Sequence, residues 1–317
     1  MSELPAVETV GQGILAIDTG FERPLFGASH LIVQDGRAAF VDVGTNFSIP
    51  GLLAALADAG LPREAVDFVI LTHVHLDHAG GAGELMRQLP TARLVVHPRG
   101  ARHMIDPAKL MAGASAVYGE DVVRQSYGTL VPVPAERVIT AAEGFALELS
   151  GRPLRFLDTP GHALHHVCIW DEASRVVFTG DTFGIAYREL TSPRGAFVIP
   201  ATTPVQFDPD ALKASIDRLV ALEPAAMLVT HYSRVTQIER LAADLHTQID
   251  HLVDLARRCD GAPDRQARLE KGIEELFVGR ALDHGSPLTP DRIRESLALD
   301  IRLDAQGLAV WLDRGRQ

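Results

Sequence analysis

Two spacings of apolar residues alternate along this chain. Short consecutive apolar runs read as strands, and stretches with apolar positions every three or four residues read as helices. Residues 13–18 and 30–34 are strand-like, Asp35-Gly36 is a hairpin signal, and 38–43 is the return strand. Helical spacing over 49–59 stops at Gly60. Asp67-Phe68-Val69-Ile70-Leu71 reads as a buried strand, 84–89 as a helix ended by Pro90, and 93–97 as another strand. Between 98 and 137 the pattern predicts helices over 102–110 and 120–127, with Met111-Ala112-Gly113-Ala114-Ser115 as a loop. Long insertions of this kind often form lids or binding loops. Strands resume at 145–149, 154–157, 167–170 and 176–178, the last two paired around residues 171–174. A helix over 208–222 and a strand over 225–230 follow. From 238 onward the spacing is entirely helical, about 238–258, 264–280 and 290–300, broken at Pro263, Gly285 and Pro287. There are no repeats or low-complexity segments.

Ligand-type side chains concentrate just after one strand. Leu71-Thr72-His73-Val74-His75-Leu76-Asp77-His78-Ala79-Gly80-Gly81 places three histidines and an aspartate within six residues. Loops leaving strand ends are where sites in α/β proteins lie. Imidazole nitrogen and carboxylate oxygen suit zinc, iron or manganese. His73 and His75 alternate along an extended segment and reach one ion, whereas Asp77 and His78 follow a turn and reach a second.

This stretch resembles the signature of the metallo-β-lactamase superfamily, whose members include glyoxalase II, lactonases and RNA-processing nucleases. Further landmarks follow in the family's order: Val41-Asp42-Val43-Gly44, Thr159-Pro160-Gly161-His162, Thr179-Gly180-Asp181-Thr182 and Val229-Thr230-His231. The resemblance covers about residues 10–235. It implies a four-layer αβ/βα sandwich with the site along the edge between two sheets, which fits the strand-then-helix order of the two halves. The expected division is a catalytic domain over 1–237, carrying the insertion near 98–137, and a helical extension over 238–317.

Carried over position by position, the resemblance implies two divalent ions, zinc first and iron or manganese as options. His73, His75 and His162 would hold one ion, Asp77, His78 and His231 the other, and Asp181 would bridge them. Asp42 would sit beneath the metal loop, and His166 would orient the site by hydrogen bonding. Asp77 is also the candidate for passing a proton to the leaving group. His165 points the other way along an extended segment and is expected to be solvent-facing or structural. His97 is read as structural, and His30, His103, His246, His251 and His284 receive no role. Met111, Tyr118, Tyr127, Phe183 and Tyr187 are the candidate substrate-pocket residues. In lactonases of the family a tyrosine three residues after the bridging aspartate holds the substrate oxygen; here Gly184 occupies that position and Tyr187 lies further on.

Composition narrows the partners. The 317 residues, 46% hydrophobic, suffice for one large domain or one domain with an appendage. The net charge of -11, with no basic run, argues against nucleic acid as substrate. Cys168 and Cys259 show no metal-type spacing and are expected as thiols. No run approaches the ~18 apolar residues of a membrane span, and no secretory leader is visible, so a cytoplasmic protein without membrane contact is expected. The expected partners are a small-molecule substrate and, as an assembly option, a second copy in a homodimer. The leading expectation is a dinuclear metallohydrolase acting on a small thioester, ester or lactone. The alternative is a di-iron redox or sensor protein with little turnover. The redox branch of the family carries a glutamate where this chain has His75, and the all-histidine form favours hydrolysis.

Overall fold

The computed structural model describes residues 5–315, except the side chains of residues 117 and 118. Its apolar runs pair into two sheets. The first holds seven strands in chain order: β1 (Val7–Gly11), β2 (Ile14–Asp18), β3 (Ala28–Gln34), β4 (Arg37–Val41), β5 (Val66–Ile70), β6 (Arg93–Val96) and β7 (Val138–Thr140). Strands β1 to β4 are antiparallel. The β3–β4 turn is Asp35-Gly36, both at positive φ (45° and 76°), which is why a glycine is suited there. From β4 to β7 the pairing is parallel, so each connection must cross over. Helix α1 (Ile49–Asp58) makes the first crossover, α2 (Leu76–Ala79) and α3 (Ala82–Gln88) the second, and α4 (Pro98–Ile105), α5 (Ala108–Tyr118) and α6 (Glu120–Tyr127) the third.

The second sheet has β8 (Ala146–Leu149), β9 (Arg152–Asp158), β10 (Val167–Asp171), β11 (Val176–Gly180), β12 (Ala226–Val229) and β13 (Ser233–Val235), in the order β13-β12-β11-β10-β9-β8. Only β11 and β12 are parallel, joined through α7 (Pro209–Val220). Helices α8 (Ile238–Cys259), α9 (Arg265–His284) and α10 (Pro290–Arg314) complete the chain.

The two-residue period of a strand explains the layers. On β4, Ala39 and Val41 face the second sheet, where they meet Leu154, Phe156 and Phe178. Ala38 and Phe40 face outward, among Leu52 and Leu56 of α1. On β11, Val176 and Phe178 point inward, while Val177 joins Leu245 and Ile249 of α8 and Leu297 of α10 on the outer side. Both sheets are covered on both faces, so their strands read as continuous apolar runs. The four-layer αβ/βα sandwich follows.

Three strands escape the sequence pattern: β1, β7 and β13. All lie at sheet edges and carry polar or short sequences, since one side has no partner strand to match. The segment Met111–Ser115, expected as a loop, is helical within α5. The break falls instead at Asp106-Pro107, where proline disfavours a helical conformation for the residue before it. Alanine-rich composition carries the helix through Gly113.

Candidate metal centre

Four strand exits converge on one edge of the sandwich. After β5 the chain stays extended to His75 (φ −64°, ψ 150°), then turns into α2. His73 and His75 therefore sit on the extended part, and Asp77 and His78 on the helical turn. β9 leads to His162, β11 to Asp181 and β12 to His231.

The seven side chains form two groups able to hold a metal ion: His73, His75, His162 and Asp181, and Asp77, His78 and His231. In the first group, His75 Nδ1 lies 3.0 Å from both His73 Nε2 and His162 Nε2. Asp181 Oδ2 faces this group, 3.5 Å from His162 Nε2 and 4.0 Å from His73 Nε2. Its other oxygen, Oδ1, faces the second group, 3.2 Å from His78 Nε2 and 3.7 Å from His231 Nε2. Asp77 Oδ2 is 3.5 Å from His78 Nε2 and 3.4 Å from His231 Nε2.

The far side of each ring is tied down. His162 Nδ1 donates to Ala201 O at 3.0 Å, and His231 Nδ1 to Phe26 O at 2.8 Å. His78 Nδ1 donates to Asp42 Oδ2 at 2.9 Å. With Nδ1 engaged on this side, Nε2 of each ring faces the centre. Asp42, just after β4, also accepts from Thr72 N and from the Thr72 and Thr230 hydroxyls, joining the β5 and β12 exits through one buried carboxylate. His166 reaches Asp181: its Nε2 accepts from Asp181 N at 3.2 Å, and its Nδ1 contacts Thr159 Oγ1 at 2.8 Å. Gly180 makes room for this, because a Cβ there would stand 2.5 Å from His166 Nε2.

The electrostatics suit cations. Burial, reinforced by neighbouring imidazoles, pushes His73 and His75 well below the usual histidine range, which keeps them neutral donors. For His78 burial works downward, but the carboxylates of Asp181, Asp77 and Asp42 outweigh it and raise the ring well above that range. Burial raises the Asp77 carboxyl, yet His78 and His231 hold it at about 2. A carboxyl held so low binds as an anion. His78 Nε2 and Asp181 Oδ1 are buried and lie 3.2 Å apart without a well-formed hydrogen bond among the described residues, so a divalent ion that displaces the His78 Nε2 proton can take both atoms. Donor type, convergence and these two atoms fit a pair of divalent ions.

The centre forms part of the wall of a cavity of about 310 Å³, shared by His75, Asp77, Asp181 and His231. Of the expected pocket residues, Tyr127 lines it, stacked on Phe21 at 5.3 Å. Met111, Phe183 and Tyr187 are not among its lining residues. Met111 packs against the outer apolar cluster, Phe183 is fully buried in that cluster, and the Tyr187 hydroxyl turns to Asp300 at 3.2 Å. The Tyr118 side chain lies outside the described residues. His165 and His103, given no place at the site from sequence, line the cavity, as do Phe21 and Phe26 from the β2–β3 loop and Leu299, Asp300 and Leu303 from α10. No local motif marks these residues, and long-range packing alone brings them in. His97 accepts from Arg99 N at 3.0 Å and caps α4. No described helix is long and apolar enough to cross a membrane.

Known proteins share this fold. The sequence model of the family described as "Metallo-beta-lactamase superfamily" matches residues 23–231. A metallo-β-lactamase fold-containing protein of Sulfurisphaera tokodaii is 28% identical over 212 residues, 63% of this chain and 76% of that protein. Its crystal structure superposes with a TM-score of 0.62 at 22% identity, covering 90% of this chain and 99% of the other. An atrochrysone carboxyl ACP thioesterase of Aspergillus fumigatus is 31% identical over 158 residues, 49% of this chain and 37% of that protein. A hydroxyacylglutathione hydrolase of Stenotrophomonas maltophilia is 32% identical over 152 residues, 48% of this chain and 44% of that protein. The chain thus matches less than half the length of these last two.

Proposed function

This chain belongs to the metallo-β-lactamase superfamily, and we propose that it is a dinuclear metal-dependent hydrolase of a small thioester, ester or lactone. The observation that carries this reading is the bridging position of Asp181, with one oxygen toward each ligand group, at the wall of a largely apolar cavity. The two enzyme relatives, a thioesterase and a hydroxyacylglutathione hydrolase by name, support the reaction class.

Two bound ions would polarise a carbonyl and activate water near neutral pH. The chain's own residues do the rest. His73, His75 and His162 would hold one ion, Asp77, His78 and His231 the other, and the shared Asp181 carboxylate would offset repulsion between them. Asp77, like His75, is a partly exposed ligand in the cavity wall, its side chain 23% exposed against 7% for Asp181. It can accept a proton there and return it to a leaving group, although its lowered pKa makes anionic ligation its resting role. The walls from Phe21, Phe26 and Tyr127 exclude water and take an apolar acyl group.

The test is reconstitution with zinc, iron or manganese, metal analysis, and a hydrolysis screen over thioesters, esters and lactones, with phosphodiesters and β-lactams as comparators. Turnover of an acyl substrate with two ions per chain is expected. Two bound ions with no acyl hydrolysis, together with oxygen-dependent redox chemistry of the iron form, would overturn the reading in favour of a redox or sensor protein.

A further inference from the structure

One enclosed carboxyl in the cavity wall has no part in the chemistry above. Asp300, in the middle of α10, is 6% exposed and lines the same cavity as Asp77, Asp181 and His231. Its Oδ1 accepts a hydrogen bond from the Tyr187 hydroxyl at 3.2 Å. Tyr187 is itself clamped, 1% exposed, with the Arg23 guanidinium 4.3 Å from its ring centre and the Phe26 ring at 5.2 Å. Arg23 pairs with Glu189 at 2.9 Å, and Glu189 accepts from Ser296 at 2.6 Å, one turn before Asp300 on α10. The carboxyl is thus held in one orientation.

Its second oxygen, Oδ2, is enclosed and has no hydrogen-bond partner among the described residues. Asp304, one turn further on, also has a buried Oδ2 without a hydrogen-bond partner among the described residues, but it is not among the lining residues of the cavity. Its Oδ1 accepts from Thr202 N at 2.7 Å and so pins the 201–206 loop to α10. Asp300 instead takes the Tyr187 hydroxyl, which ties the segment after β11 to α10 through Oδ1 alone and fixes the direction of the carboxyl. Leaving a buried oxygen unpaired is unfavourable for folding, and a ligand that fills the cavity can supply the missing partner.

We propose that Asp300 is the specificity-determining residue of an acyl-group subsite, where its Tyr187-held carboxyl hydrogen-bonds a hydroxyl carried along the substrate's acyl chain. This rests on reading the cavity as the substrate site of a hydrolase. The surrounding wall explains the choice of group. Leu299, Leu303, Ile185 and Phe26 line the cavity with apolar surface, so a plain alkyl chain fits but buries Oδ2 still unpaired. A hydroxyl both donates and accepts, so it meets the carboxyl whether ionised or protonated. An ammonium only donates and a ketone only accepts. Burial pushes Asp300 up to about 7, so both forms are populated near neutral pH and the two-way partner is favoured.

The experiment uses the metal-loaded full chain with hexanoyl and hydroxyhexanoyl thioesters, the hydroxyl walked along the chain, and calorimetric titration of the corresponding free acids as a binding arm. Wild type is expected to prefer at least one hydroxyacyl thioester by ~10-fold in kcat/KM, the scale of one hydrogen bond. Asp300→Leu is expected to abolish that preference at unchanged metal content, the loss in kcat/KM falling on the hydroxyacyl thioester relative to the hexanoyl one. Asp300→Asn, which still donates and accepts, keeps part of it. Tyr187→Phe frees the carboxyl to rotate and lowers the preference, and it serves as the readout should Asp300→Leu not fold. Equal treatment of all chains by wild type, or a preference for an amino-substituted chain, overturns the proposal. So does a loss in the variants that is equal for hydroxylated and plain substrates. Absence of any turnover counts against the hydrolase reading alone. The free-acid titrations then decide: tighter binding of a hydroxyhexanoate that vanishes in Asp300→Leu supports the subsite, and equal binding of all acids refutes it.

Discussion

The main-chain N–H of Asp181 donates to Nε2 of His166 across 3.2 Å. A buried histidine thereby fixes the backbone from which the shared carboxylate projects, and Thr159, on the other side of the ring, fixes the histidine. Removing such support typically costs 10–100-fold in metal affinity or activity. His166→Ala is therefore expected to lower both within that range while circular dichroism stays native. Unchanged kinetics and unchanged metal affinity would reduce His166 to a space-filling residue.

The two oxygens of Asp181 address different ligand groups. Asp181→Ala should lower occupancy at both positions, because each loses a ligand and the two ions then repel without a shared anion. His231 belongs to one group only. His231→Ala should mainly empty that one, leaving about one ion per chain in elemental analysis. Identical stoichiometry in the two variants would contradict a bridging aspartate.

The cavity wall separates two residues that the sequence pattern groups together. Tyr127 lines the cavity and stacks on Phe21, whereas Met111 is half-buried against the outer apolar cluster. Tyr127→Ala is expected to raise KM or reorder substrate preference at unchanged metal content. Met111→Ala is expected to lower stability by on the order of 1 kcal/mol, with relative rates among substrates unchanged. The reverse pattern in melting temperature and relative kcat/KM would mean that Met111 rather than Tyr127 reaches the substrate.

Separation along the chain decides which of these features are legible in the sequence. The ligand groups are legible because four of the seven residues lie between His73 and His78, and the others end apolar runs that are themselves conspicuous. The sandwich is legible because strands buried on both faces are continuously apolar. The edge strands β1, β7 and β13 are not, since half of their hydrogen-bonding potential faces away from the sheet. The cavity wall is the least legible part. Tyr187 and Asp300 are 113 positions apart, and neither carries a local signal. Phe21 and Phe26 lie in a loop whose path is set by Asp18, which accepts from Gly20 N and Leu25 N, and by packing against His231.

The same Asp300 carboxyl makes a stability prediction that needs neither metal nor substrate. Burial raises it from an ordinary value of 3.8 to about 7. The folded chain therefore holds this proton more tightly than the unfolded chain does. Stability linked to the group is fully present below about pH 4, falls as pH rises toward about 7, and is flat above that. A tenfold difference in proton affinity between the folded and unfolded chain corresponds to about 1.4 kcal/mol, so the penalty at pH 8 reaches at most ~4 kcal/mol. Asp300→Asn cannot ionise, and its amide oxygen can still accept from Tyr187. It also removes a charge that helps to raise the neighbouring Asp304 carboxyl, whose pKa burial already lifts well above its usual range, so both effects act in the same direction. In metal-free protein, Asp300→Asn is expected to melt higher than wild type at pH 8, with the difference shrinking as pH falls and nearly gone at about pH 4. Every other titrating group common to both proteins cancels in that difference to first order. Parallel melting-temperature profiles across this window would show that Asp300 stays ionised in the fold, and the carboxyl would then present an acceptor only.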